Sequence, residues 1–112
     1  MPCTKTLLNF QTELRLHHWG TKSYATHKAL GKLYESLDGL IDTFTEAYIG
    51  IEGRDFISKI DSLSLNGPSR TTPMKVVESL EEYLINELPK EVSEVYLVPS
   101  CLAFILKVYQ NE

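Results

Sequence analysis

The sequence predicts an all-α protein, an antiparallel four-helix bundle with a short extra helix between its second and third long helices. Two observations predict this fold class: apolar residues recur at intervals of three and four over long stretches, and the links between these stretches are short and polar. The chain has 112 residues, 43% of them hydrophobic and 23% charged. That length suffices for one hydrophobic core. We therefore expect a single helical domain spanning residues 1–112.

The first two helices are predicted from apolar spacing and from their end signals. Residues 4–19 form the first helix, which ends at Gly20. Ser23 is a suitable N-cap for the second helix, and Gly50 with Gly53 marks its C-terminal end. The apolar face of the second helix consists of Leu30, Leu33, Leu37, Leu40, Ile41, Phe44, Tyr48 and Ile51.

A short amphipathic helix and a third long helix follow. Residues 54–65 carry Phe56, Ile57, Ile60 and Leu63 at helical intervals, and the turn-forming run 66–69 comes next. Thr72 and Pro73 then suit an N-cap and a first helical position, since proline there loses no helical hydrogen bond. The third helix is expected from Pro73 to about Glu87. It would bury Val76, Val77, Leu80, Leu84 and Ile85.

The last segment predicts the fourth helix. Pro89 ends the third helix, and apolar residues then recur between Val92 and Tyr109. Pro99 interrupts this run. The segment is therefore either one kinked helix or a loop followed by a helix that begins at Pro99.

Charge and composition exclude several classes of function. The formal net charge is −4, whereas proteins that bind nucleic acid through phosphates cluster Lys and Arg, so direct DNA binding is not expected. No segment has the apolar length of a membrane span or the layout of a signal peptide, which predicts no membrane contact and a cytoplasmic location, or a virion-associated one if the source is viral. Cys3 and Cys101 stand far apart and suit two structural thiols.

Histidines and carboxylates suggest a metal site. All three histidines fall within residues 17–27, and Asp42 and Glu46 follow at the spacing of one helical turn. Imidazole and carboxylate groups are common ligands of transition metals. His27 and Asp42 lie on one helix about 22 Å apart, so they cannot bind the same ion within one chain.

Two-fold symmetry would bring these groups together. If the second helix packs antiparallel against its own copy near Tyr34 and Glu35, His27 lies opposite Asp42 of the second copy. The same face carries Gly31 and Gly39, which would allow the two backbones to approach closely. The predicted site is therefore intersubunit and occurs twice in a dimer, with larger oligomers allowed.

The residues His18, Trp19, His27, Asp42 and Glu46 resemble a known pattern, that of the Dps-type mini-ferritins in the ferritin-like superfamily. The resemblance implies a ferritin-like bundle, in which the segment 54–65 would correspond to the family's short helix. It implies that His18 and His27 of one subunit and Asp42 and Glu46 of its mate bind Fe(II). Oxidation of that iron by peroxide or oxygen would make the protein a ferroxidase.

Other interpretations stay open at this point. Gly31 stands where that family usually has a further aspartate, and this departure favours a ferritin-like protein without activity that serves as a structural or adaptor protein, for instance a virion component. A third interpretation is a structural zinc site formed by His18, His27 and Asp42. We expect His17 at the surface facing Glu13. Trp19 is expected to anchor the core or an interface.

Overall fold

The computed structural model describes residues 3–87, and this part of the chain consists of three α-helices and one short 3₁₀ helix. The helices are α1 (Cys3–Gly20), α2 (Tyr24–Glu52) and α3 (Pro73–Asn86), and the 3₁₀ turn is Ile57–Lys59. No strand occurs between residues 3 and 87, so the all-α prediction is confirmed there. The predicted fourth helix lies outside the described residues, and the four-helix bundle stays a prediction.

The ends of α2 follow the local signals in the sequence. The hydroxyl of Ser23 accepts a hydrogen bond from the backbone N–H of Thr26 at 3.3 Å, which satisfies one of the free amides at the helix start. At the other end, Gly53 has a φ of +84°, a conformation that glycine adopts without steric cost. Its N–H donates to the carbonyl of Ile49 at 2.8 Å and closes the helix. Both predicted ends are confirmed.

The start of α3 is also confirmed, but one predicted core residue is not. The Thr72 hydroxyl accepts a hydrogen bond from the N–H of Lys75 at 3.2 Å, and Pro73 occupies the first helical position. Leu84 is buried with 1% of its surface exposed, whereas Ile85 is 58% exposed. The expected burial of Ile85 is wrong because consecutive residues point about 100° apart around a helix. Leu84 already faces the core.

The predicted amphipathic helix over residues 54–65 is wrong, because only the turn Ile57–Lys59 is helical. Ile57 is 40% exposed and Leu63 is 36% exposed, so these apolar side chains lack the packing surface that would stabilise a short helix. A hydrogen bond instead ties the connection to α1. The N–H of Asn66 donates to the carboxylate of Glu13 at 2.8 Å.

The core lies where α2 and α3 pack against α1. Both helices contribute most of the apolar stripes that the sequence predicts, and the members that reach the core are 0–5% exposed. Ile51, which the sequence also predicts on the apolar face of α2, is 58% exposed, so that part of the prediction is wrong. No helix among residues 3–87 combines the length and the apolar character needed to cross a membrane. The helical core residues are Cys3, Leu7, Leu14, Leu30, Leu33, Leu37, Ile41, Phe44, Val76, Val77, Leu80 and Leu84.

Candidate functional site

Two of the predicted ligands, His18 and His27, contact each other across the α1–α2 connection. His18 lies near the end of α1, and His27 lies in the first turns of α2. The Nδ1 atom of His18 is 2.5 Å from the carbonyl oxygen of His27, and the Nδ1 atom of His27 is 2.7 Å from the carbonyl oxygen of His18. We call this pair the histidine clasp, since each ring bonds the backbone of the opposite helix.

The two imidazole rings of the clasp also stack. Their centroids are 3.8 Å apart, and their planes differ by 16°. A carbonyl oxygen can only accept a hydrogen bond, so both Nδ1 atoms must be donors. In the neutral rings the Nε2 atoms therefore carry no proton and keep their lone pairs. The clasp thus fixes both the position and the tautomer of each histidine.

Gly31 on α2 makes room for the clasp. A Cβ atom at this position would lie 2.8 Å from Cε1 of His18 and 3.3 Å from its Nδ1. A contact that short would force the His18 ring to shift, and a hydrogen bond and a stacked ring oppose that shift. The glycine is therefore explained by intrachain packing. Its interpretation as a position that lacks an aspartate ligand does not account for this contact.

Below the clasp, the same face of α2 packs against α1. The Tyr34 ring contacts His18 edge to face at a centroid distance of 5.2 Å, and the Arg15 guanidinium lies 4.7 Å from the Tyr34 ring centroid. Gln11 donates to the Tyr34 carbonyl and to the Asp38 carboxylate, both at 3.2 Å. The α2 face expected to meet a second copy at Gly31 and Tyr34 is thus in contact with α1. The His18 ring occupies the space beside the glycine.

The two predicted carboxylate ligands lie away from the clasp. Asp42 and Glu46 are exposed on the C-terminal half of α2. Within residues 3–87, no group of three or more His, Cys, Asp or Glu side chains is placed to hold a metal ion. The structure brings His18 and His27 together but brings neither carboxylate to them. An intersubunit site remains a prediction.

The stacking of the clasp restricts how it would bind a metal. A metal bound to imidazole lies in the plane of the ring about 2.0–2.1 Å from the nitrogen. Two planes that are nearly parallel and separated by a stacking distance share no point that close to both Nε2 atoms. The two histidines, as placed, cannot chelate one ion. Each would have to bind a separate one.

His17 is buried, and its predicted surface position is wrong. It is 4% exposed, and its Nε2 atom has no hydrogen-bond partner among the described residues. Burial lowers the pKa of His17 below its ordinary value, and the Glu13 carboxylate partly offsets this effect. Phe10, Glu13 and His17 are spaced by three and four residues and so share one face of α1. On this face the Phe10 ring lies 5.8 Å from that of Tyr83 on α3. That spacing is the signal that could have predicted burial.

Two large aromatic side chains lie exposed beside the clasp. Trp19 is 66% exposed and Tyr24 is 75% exposed. The Tyr24 ring stacks loosely on His27 at a centroid distance of 6.4 Å. Trp19 is therefore not a core residue, and only its predicted role at an interface stays open. The sequence did not single out Tyr24. Its position directly after the Ser23 N-cap could have indicated that it lies near His18 and Trp19, where the hairpin formed by α1 and α2 reverses direction.

Comparison with known proteins places the clasp within a matched region. Residues 18–99 match the model of a family of unknown function (DUF5856). A 14.6 kDa uncharacterized protein of Enterobacteria phage T4, encoded in the mobD-ri intergenic region, is 40% identical over 58 residues. That alignment covers 52% of this chain and 45% of the phage protein. No solved structure is significantly similar to the chain.

These comparisons overturn the mini-ferritin resemblance. The family that matches is a different one, and the phage relative has no ferritin-like description. The pattern behind the resemblance has only a few polar residues spread over about 30 positions. Two of these positions, His18 and His27, are accounted for by the clasp. The assignment of the chain to the Dps type is wrong.

Proposed function

The chain belongs to the family of unknown function DUF5856. From this premise we propose that it is a structural or adaptor protein of a phage and that it acts by binding a protein partner. The relative in phage T4 supports a viral setting. Within residues 3–87 of one chain, no three His, Cys, Asp or Glu side chains are grouped so that they could hold a metal ion. The proposal therefore assigns the conspicuous histidines to the architecture of a binding surface.

The single observation that supports this function most is the position of Trp19 and Tyr24 beside the clasp. Tryptophan and tyrosine are enriched among the residues that dominate protein interfaces, because they bury a large area at little cost in conformational entropy. Both are more than half exposed here. The stacked and cross-bonded histidines join the end of α1 to the start of α2, so the backbone positions that carry the two aromatic side chains are held relative to each other.

Site-specific photocrosslinking in the cells that naturally produce the protein tests this function. A photoreactive phenylalanine analogue replaces Tyr24 in one variant and Ile51 in a control variant. Ile51 is also exposed, at 58%, but lies near the opposite end of α2, about 40 Å away along the helix. We expect a discrete protein crosslinked from position 24 and not from position 51.

Two results of the same experiment would contradict the proposed function. If the crosslinked products from the two positions are identical, or if none forms at position 24, the end of the hairpin is not a binding surface. A Trp19→Ala substitution in the position 24 variant should abolish the specific product. Because Trp19 is exposed, this substitution leaves the fold intact, which circular dichroism checks.

Metal binding is the second candidate function, and the donor arrangement of the clasp favours it. Histidine ligands of metals usually donate their other ring N–H to a carbonyl or a carboxylate, which is the bonding that His18 and His27 show. Under this proposal each Nε2 binds one ion, iron or alternatively zinc. Asp42 and Glu46 of a second copy complete the coordination.

Anaerobic titration with Fe(II), and separately with Zn(II), tests the second candidate. Trp19 is the only tryptophan of the chain and adjoins the clasp, so its fluorescence reports binding there. Saturable binding that is weakened by Asp42→Ala with Glu46→Ala would support an intersubunit site. Binding that is unchanged in this double variant contradicts the role of the carboxylates.

A further inference from the structure

The exposed side of α2 carries a stripe of five charged residues and one glycine that neither α1 nor α3 covers. Its members are spaced alternately by four and three residues, which places them on one side of the helix. All of them are exposed. The α2 stripe consists of Lys28, Lys32, Glu35, Gly39, Asp42 and Glu46.

We propose that the α2 stripe is an antiparallel interface with a second copy of this chain. The inference goes beyond the proposed function, since it involves neither Trp19 nor Tyr24. The stripe has open space in front of it: a Cβ atom added to Gly39 would meet no described atom within 4 Å. The opposite side of α2 faces the core, where Leu33 and Leu37 are 0% and 1% exposed.

The distribution of charge along the stripe is unfavourable in a single copy. Lys28 and Lys32 are like charges one turn apart, and so are Asp42 and Glu46, an arrangement that destabilises an isolated helix. The lysines also lie in the N-terminal half and the carboxylates in the C-terminal half, so charges of opposite sign are separated along the helix. The first turn of α2 has no acidic residue, and its last turn has no basic residue, so neither end carries the charge that would favour the helix dipole. Helix stability alone does not account for this layout.

A second copy in antiparallel orientation places each of these four charges opposite a charge of the other sign, and this attraction offsets the repulsion within each helix. With the two-fold axis between Glu35 and Gly39, Lys28 lies opposite Glu46 of the second copy. In the same register Lys32 lies opposite Asp42 of the second copy. Symmetry repeats both pairs. A parallel arrangement would instead oppose each lysine with its own copy.

The residues at the centre of the stripe fit the same register. Glu35 lies opposite Gly39 of the second copy, so the glutamate near the axis meets a residue without a side chain. Antiparallel helices also bring their dipoles into a favourable orientation. The interface is polar throughout, and exposed ion pairs contribute little individually, so the association is expected to be weak and strongly dependent on salt.

This register differs from the one that a metal site requires. Here Asp42 faces Lys32 of the second copy, whereas the metal arrangement needs Asp42 opposite His27. The two arrangements exclude each other. The structure favours the present one because the stripe is exposed, while the face that carries Gly31 contacts the His18 ring.

Exchange of charges combined with sedimentation analysis tests the interface. The first variant carries Lys28→Glu with Lys32→Glu, and the second carries Asp42→Lys with Glu46→Lys. Each variant opposes only like charges and should be monomeric. An equimolar mixture of the two restores every opposite pair and should form a heterodimer.

The variant with all four substitutions is the matched control. Two cations and two anions change places in it, so its formal net charge stays at −4. We expect it to dimerise like the wild type. For both proteins the dissociation constant should rise at least about tenfold between roughly 20 mM and 500 mM salt. Circular dichroism shows that each variant is folded.

Three results would overturn the proposal. The wild type could be monomeric at low salt and at the highest concentration reached. The fourfold variant could remain as dissociated as the two double variants. Association could follow net charge alone, in which case the variant with Asp42→Lys and Glu46→Lys would associate more strongly than the wild type.

Discussion

The His18 imidazole lies against Gly31, with its Cε1 atom 2.8 Å from the place where a β-carbon of residue 31 would be. The contact joins the end of α1 to the second turn of α2, on the side of the helix that also carries Tyr34. It shows that the glycine and the histidine form one packing unit. The hydrogen bonds between His18 and His27 depend on this unit, since a larger residue 31 would push the ring out of position.

Gly31→Ala should destabilise the protein by about 1–3 kcal/mol, the range for inserting an extra methyl group into a packed site. Gly50→Ala is the matched control, because it adds the same methyl group in α2 where no described atom lies within 4 Å. The control should gain about 0.5–1 kcal/mol from better helix propensity. Urea unfolding measures both. Equal effects of the two substitutions would contradict the conclusion that Gly31 makes room for the His18 ring.

His18→Ala and His27→Ala should each destabilise the protein, and their effects should not add. Each substitution removes one ring of the stack and one of the two cross-helix hydrogen bonds. Residues in direct contact typically show a coupling of about 0.5–3 kcal/mol in a double-mutant cycle. Unfolding of the two single variants and the double variant gives this coupling. A coupling near zero would mean that the clasp does not act as a unit.

The stability of the protein should fall as the pH drops below the ordinary histidine pKa, and His17 should be one cause. Burial lowers the pKa of folded His17, so below about pH 6.5 the unfolded chain binds its proton more readily than the folded chain. This contribution to stability is complete above pH 6.5 and is lost as the pH falls through the lowered pKa.

Chemical unfolding at several pH values between about 7.5 and 5 measures this dependence. His17→Gln keeps a neutral polar side chain and should flatten the decline in the free energy of unfolding. A decline with the same slope in the variant would show that other groups cause it.

Leu84→Ala should cost about 2–5 kcal/mol, the range for truncating a buried leucine, whereas the neighbouring Ile85→Ala should change stability by less than about 0.5 kcal/mol. Leu84 is 1% exposed and Ile85 is 58% exposed. Thermal or urea unfolding compares the two. A large loss at position 85 would mean that this side chain is covered by a part of the protein outside residues 3–87.

The helix ends could be predicted from the sequence because they depend on neighbours only a few residues away. The Ser23 hydroxyl bonds the N–H three residues later, and Thr72 does the same at α3. The segment 54–65 could not be predicted in this way. Its apolar spacing suggests a helix, but Phe56 packs on Tyr48 of α2 while Ile57 stays 40% exposed, and which side chains find such a contact depends on the whole fold.

The sequence predicted two residues of the candidate site, the histidines of the clasp, but not how they interact. The sequence singles out His18 and His27, yet their mutual bonding depends on how the chain reverses between the two helices. The burial of His17 depends on contacts of α1 with parts of the chain far away in sequence. The role of Gly31 could not be seen either, because a glycine on a helix face suggests a close approach without showing what approaches.

The clasp and the hydrogen bond between Glu13 and Asn66 close loops of very different lengths, and this difference affects the order in which the chain folds. The clasp joins residues 9 positions apart, and the bond between Glu13 and Asn66 joins residues 53 positions apart. Closing a longer loop costs more entropy, and contacts between distant residues slow folding. We therefore expect the hairpin of α1 and α2 to form early and to serve as the template on which α3 later docks.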